Sequence, residues 1–275
     1  MSKQISRKTA AARREKRSKY VQAGSLICFF VLWQLIAFAN IQNEWFNPNF
    51  LPSPLDVIQS AVEYAQAGTL LAHIGISLYR LLVGFVIGTV ISVIIGSLMC
   101  LFRTVNNILS PIVNLFGPIP VMAFLPMFLI WFGIGESSKI TLIAYTTVIA
   151  MLPYVTEGIR NTDPLLVRSS VSLGASNIQV FTHVLFRSAL PNIFVGMKAC
   201  LGLAFSSLVV AEMMGASTGL GFIIVDAKNW FRLDDMFMSA IIIGLLYTLF
   251  YGVLTLLERL LFPWKRSGMN AAVES

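Results

Sequence analysis

The sequence predicts an all-α polytopic membrane protein with six transmembrane helices, on three observations. Of 275 residues, 56% are apolar and only 12% are charged, about half the share of a soluble domain. The charges leave gaps long enough to cross about 30 Å of hydrocarbon, which takes about 20 residues of helix. The net charge of +7 is confined to one end. Residues 1–19 hold eight Lys/Arg and one acid, Glu15, and the rest balances at twelve of each sign. That distribution predicts an apolar body with a basic tail, and neither a soluble enzyme nor a nucleic-acid partner.

A charge at the bilayer centre costs about 2.5–3.5 kcal/mol, so gaps between charges mark the spans. They fall near 22–39, 81–101, 110–132, 139–156, 191–212 and 237–260. The transmembrane domain is expected over 20–265, between the tail at 1–19 and a C-terminal tail at 266–275. The first span also reads as a secretory signal ending in Ala37-Phe38-Ala39. Its 24-residue charge-free run from Tyr20 to Asn43 exceeds a signal core of about 7–15 residues. It is expected to stay as a span.

The second span carries Gly84, Gly88, Ser92, Gly96 and Cys100, a small residue every fourth position. Such a stripe admits a second backbone, either as plain packing or as a sliding contact. Pro111, Pro118, Pro120 and Pro126 interrupt the third span. Broken backbone at membrane depth is tolerated only inside protein or along a cavity. This segment is therefore expected at the centre of the protein, lining a path. The fourth span follows the 17-residue gap from Ile140 to Thr156. In the fifth, Lys198 is expected to snorkel to the cytoplasmic interface. Glu212 near its outer end faces the same side as Arg80 at the rim of the second span, which suggests an ion pair or an outer gate. Asn114, Tyr145, Thr146, Ser206 and Ser207 are polar residues within spans. They read as path-lining groups or as ordinary interhelical hydrogen bonds. Cys28, Cys100 and Cys200 are isolated and read as packing residues.

Even-numbered spans place both termini on one side. With the termini inside, fifteen Lys/Arg lie in the cytoplasm against Lys139, Lys228 and Arg232 outside, with Arg80 at a rim and Lys198 within a span. Positive residues favour the cytoplasm, where the tail would also meet anionic headgroups of the membrane lipid.

The cytoplasmic connection at 157–190 is the most informative stretch. Asp163-Pro164 forms a helix start, with Asp as N-cap and Pro at the first helical position. Gly174 suits that helix's C-terminus. Ser176 and Gln179 form a capping box opening a second short helix, expected to end before Leu190-Pro191, where the fifth span begins. Two short helices joined by a glycine suit docking into a partner's groove.

This loop resembles the coupling signature of binding-protein-dependent ABC importer permeases, which runs Glu-Ala-Ala, glycine, an aliphatic residue and Leu-Pro. Gly174-Ala175 and Val184 hold the glycine and aliphatic positions. Arg168-Ser169-Ser170 replace the triplet and Phe186-Arg187 the first Leu-Pro, with Leu190-Pro191 following. Leu51-Pro52-Ser53-Pro54, Trp131-Phe132-Gly133-Ile134-Gly135, Ser138-Lys139-Ile140, Ser172-Leu173-Gly174-Ala175-Ser176 and Ala211-Glu212 are similar to the nitrate/sulfonate/taurine branch. The resemblance implies a type I ABC importer transmembrane domain acting as a homodimer. It implies a cytoplasmic ABC ATPase dimer gripping 157–190, and a periplasmic or lipid-anchored solute-binding protein delivering a small anion such as a sulfonate, taurine or nitrate. It implies a bacterial inner-membrane location.

No Walker A run occurs in the sequence, so ATP and Mg are expected in the partner ATPase, with no cofactor and no catalytic residue in this chain. His73 and His183 fall on opposite predicted sides, and no metal site is expected. A secondary transporter or channel is the competing reading of the Pro-broken span. That class usually carries an intramembrane relay or paired broken segments, and only one broken segment is present. A membrane-embedded enzyme would need an interfacial catalytic cluster, and none is visible.

Overall fold

A computed structural model describes residues 2–45, 47 and 50–263, with side chains left aside at 2–19, 22, 23 and 26. The basic side chains of the tail, Lys265 and the segment 266–275 lie outside the described residues. Every regular element described is helical. Two compact units appear, one from residues up to 68 with 226–238, the other from 69–225 with residues from 239 onward.

In the first unit, helix α1 (Ser2–Asn43) is followed by α2 (Pro54–Gln66). Ser53 caps α2 through a capping box: its hydroxyl accepts the Asp56 N–H, and the Asp56 carboxylate accepts the Ser53 N–H. Trp33 Nε1 donates to the Pro52 carbonyl at 3.1 Å, and its ring lies 5.6 Å from that of Phe237 at a tilt of 37°. Asp235, fully buried, accepts from Ser60 at 2.6 Å, Tyr64 at 3.3 Å and Arg232 at 2.8 Å. Burial and this carboxylate raise the Tyr64 phenol above its ordinary pKa.

The second unit is built on α3 (Leu70–Leu101), α6 (Glu136–Arg160) and α9 (Phe186–Gly215). Between α3 and α6 lie α4 (Arg103–Phe116) and α5 (Val121–Phe132). α7 (Pro164–Ser172), α8 (Asn177–Gln179) and a π-helical turn (Val180–Leu185) lead into α9. Helices α10 (Leu220–Asn229) and α11 (Leu233–Leu261) contribute to both units. The core of the second unit holds Phe85, Ile143, Met151, Val155, Ile193 and Leu208. The small-residue stripe of α3 explains the close fit to α6. A Cβ on Gly84, Gly88 or Gly96 would stand within 2.7 Å of Ile143, the Ala144 carbonyl or Val155.

Four described helices are long and apolar enough to cross a membrane: Leu70–Leu101, Glu136–Arg160, Asn177–Gly215 and Leu233–Leu261. A fifth crossing exists if α4 and α5, bent by 105°, count as one. The interruption expected in the third span at 110–132 is thus a sharp bend between two half-helices, where Pro118 and Pro120, on either side of Ile119, each remove a backbone donor. α4 has no buried residue in the isolated chain, whereas α5 buries Leu125 and Phe128 against Leu142 of α6 and Ala211 of α9. The first span lies within α1, whose described apolar stretch is Ile27–Asn43.

The expected break before Leu190-Pro191 is also corrected. The helix runs without interruption from Asn177 to Gly215, with Pro191 inside it. A proline inside a helix costs about 3 kcal/mol. Burial of Phe181, Ala189 and Ile193 in one core offsets that cost and holds the helix in line. Upstream, the Phe186 N–H bonds the Phe181 carbonyl in the wider π pattern, a local adjustment often found at functional positions.

Candidate functional site

Two groups of residues stand at opposite ends of the second unit's long helices. The first is the 157–190 connection. The Asp163 carboxylate accepts from the Leu165 N–H at 2.8 Å, with Pro164 opening α7. Past α7, the Gly174 N–H bonds Val171 O and the Ala175 N–H bonds Ser170 O. These are the two bonds of a Schellman motif, which demands the left-handed conformation that Gly174 takes at φ +85. Ser176 and Gln179 then exchange capping-box bonds. Ser169 and Ser170 turn their hydroxyls back onto Leu165 O and Val167 O, and Arg168 is exposed. This leaves Leu165, Val171, Leu173 and Ile178 as an exposed apolar face, Leu173 being 88% exposed. Val184 and Leu190 are half-buried, and Pro191 lies within α9.

The second group is a buried charge network. Arg80 on α3, only 1% exposed, donates from Nη1 to Glu212 Oε1 at 2.8 Å and to the Thr218 carbonyl at 2.6 Å. Its Nε and Nη2 grip Glu136 at the start of α6 at 2.6 and 2.7 Å. Glu212 also accepts from Ser77 Oγ at 2.7 Å and from the Gly221 N–H at 2.8 Å. Ser77 in turn accepts the Leu220 N–H. The Glu212 carboxylate thus sits against the first free N–H groups of α10, where the helix dipole favours negative charge. His73 Nδ1 lies against the backbone of Gly219, 3.0 Å from its N–H nitrogen and 3.2 Å from its carbonyl oxygen. One guanidinium therefore joins α3, α6, the end of α9 and the turn before α10.

Arg80 and Lys139 were expected at a rim and in an outer loop. Both are buried within the chain, where each pairs with Glu136 at the start of α6. Lys198, expected to snorkel, pairs with Glu258 at 2.5 Å beside the Tyr251 ring.

Among the polar span residues, Asn114, Tyr145 and Thr146 line one cavity of about 670 Å³ with the Gly117–Val121 break. The Tyr145 hydroxyl is buried there without a hydrogen-bond partner. Ser206 is absent from that lining: exposed, it bonds its own helix at Gly202 O, and buried Ser207 bonds Ala204 O. Sequence reasoning missed Glu136, Ser77, His73 and Glu258. An acid opening an apolar run marks a helix first turn, a signal that could have found Glu136. The others carried no local signal. No group of three metal-ligating side chains exists among the described residues.

The family model described as "Binding-protein-dependent transport system inner membrane component" matches residues 88–267. The chain is 32% identical to the taurine transport system permease protein TauC of Escherichia coli K12, over 90% of each chain. It is 35% identical to the putative aliphatic sulfonates transport permease protein SsuC of the same organism, over 85% of this chain and 87% of that one. Its fold is similar to a chain of the MetNI methionine ABC transporter in an inward-facing conformation. That match has a TM-score of 0.63 at 21% identity and covers 69% of this chain and 94% of that one.

Proposed function

From the premise that the chain belongs to the binding-protein-dependent transport system inner membrane components, we propose that it imports taurine or a related sulfonate as a homodimer. It is the permease component of an ABC importer, and ATP hydrolysis lies in a separate subunit. A periplasmic or lipid-anchored solute-binding protein delivers the substrate at the end of α6 that carries Glu136. An ATPase pair grips 157–190 at the other end. Both termini lie in the cytoplasm, as fifteen basic residues against three favour. The six spans are the four long helices, the bent α4–α5 pair and the apolar part of α1. The cavity at the α4–α5 break, with Asn114 and Tyr145, forms part of the path.

The continuous helix from Asn177 to Gly215 carries this reading. At 39 residues it is about 58 Å long, with the exposed coupling face at its start and Glu212 near its end. Movement of the loop by an ATPase is transmitted along it to the Arg80 network. That network is the gate by which the α3–α6 pair releases or holds the α9–α10 turn. Vesicles holding this chain, its ATPase and its binding protein should take up taurine only with ATP inside. Uptake that persists without the ATPase contradicts the proposal.

A further inference from the structure

The structure also holds a second cavity, of about 520 Å³, lined by Arg80, Glu136, Lys139, Ile134, Gly135 and residues 214–217. We propose that it is a subsite for a zwitterion, an ammonium and a sulfonate on one short alkyl chain, and that it favours amino-sulfonates over plain alkanesulfonates. The inference rests on the sulfonate reading above and adds to it the residues that sort one sulfonate from another.

Three observations support it. Lys139 is 3% exposed, and its ammonium has three N–H donors. The Gly135 carbonyl accepts one at 3.0 Å, and Glu136 Oε1 stands farther off at 3.6 Å. A buried cation with a spare donor is costly, and a sulfonate oxygen would take that donor. Glu136 is the opposite case. Its side chain is 45% exposed, and each carboxylate oxygen receives one bond from Arg80. A carboxylate has about four acceptor positions, so acceptor capacity remains for an ammonium on the open side. Lastly, the four charges of the network cancel: Arg80 and Lys139 against Glu136 and Glu212. A zwitterion preserves that balance. A plain alkanesulfonate adds an unmatched negative charge where Coulomb terms are large.

The sulfonate therefore sits toward Lys139 and the ammonium toward Glu136, at the end of α6 opposite the coupling loop. Glu136 acts as the sorting residue and Lys139 as the anchor common to both substrate types.

The test uses the assembled permease and ATPase without the binding protein, whose own selectivity would mask the effect. Radiolabelled taurine and ethanesulfonate are titrated by equilibrium dialysis. Taurine is expected to bind wild type about tenfold more tightly. Glu136→Gln brings the ratio to about one, Glu136→Asp keeps taurine's advantage, and Lys139→Met weakens both ligands about tenfold. Equal wild-type affinities, or a Glu136→Gln protein that keeps the preference, overturn the subsite. The wild-type ratio needs no variant and stands even if a variant fails to assemble. Uptake by the complete wild-type transporter is measured in parallel. Uptake of neither compound overturns the substrate reading beneath the proposal, whereas uptake of both with equal binding overturns the subsite alone.

Discussion

Arg80 and Glu212, 132 residues apart in the chain, meet at 2.8 Å with both side chains out of solvent. Removing Arg80 leaves the buried Glu212 carboxylate without its cation, at about 3–5 kcal/mol, whereas removing Glu212 leaves Arg80 still paired with Glu136. Replacing both with apolar residues removes the unpaired charge as well. Arg80→Leu and Glu212→Leu should each lower the unfolding temperature of the purified complex and abolish uptake. The double variant should be more stable than Arg80→Leu, since no buried carboxylate is then left without its cation. Additive losses in thermal unfolding would show that the two residues act separately.

Gly219 adopts φ +129, and a Cβ there would stand 2.5 Å from the Glu212 carboxyl. Gly219→Ala should displace the carboxylate from Ser77 and Gly221 and reduce uptake about tenfold or more, equivalent to about 1.4 kcal/mol. An uptake assay on complete transporters checks this.

The packing stripe makes an opposed pair of predictions. A Cβ on Gly88 would lie 2.6 Å from the Ala144 carbonyl, whereas one on Gly75 meets nothing within 4 Å. Gly88→Ala should force α3 from α6 and destabilise by about 1–3 kcal/mol. Gly75→Ala, in the same helix, should stabilise by about 0.4–1 kcal/mol. Denaturation of the two variants side by side separates steric fit from backbone entropy.

Gly174 has open space around it, so its requirement is conformational. A non-glycine residue pays about 1–2 kcal/mol in the left-handed region, with Asn tolerated best. Gly174→Asn should retain ATP-driven uptake. Gly174→Val should lose it and release the ATPase on co-purification. Equal behaviour of the two would mean that the Schellman turn does not set the loop.

Much of this was legible in the sequence. Long apolar segments, the Asp163 cap, the Gly174 stop and the Ser176 capping box depend on residues within a few positions of one another. The Pro-broken segment was legible as a break, but the angle of its bend was not. Proline removes donors locally, yet whether a helix bends by 105° or runs on, as at Pro191, is decided by what packs beside it. The network around Arg80 was half legible: apolar flanks exposed the Glu212 charge, but Glu136 sat in a charged stretch that read as an outer loop. The α2 helix carried a capping signal at Ser53 and Asp56 that sequence reasoning passed over, and α10 has a bound carboxylate at its start in place of a local cap.

The central claim is that loop movement reaches the Arg80–Glu212 pair through the Asn177–Gly215 helix. The most direct measurement is taurine carried per ATP hydrolysed by complete transporters in vesicles, comparing wild type with Glu212→Gln. The account predicts that uptake falls about tenfold or more while hydrolysis continues near the wild-type rate, so that ATP is spent without transport. An unchanged ratio, with uptake and hydrolysis preserved or falling together, would contradict it.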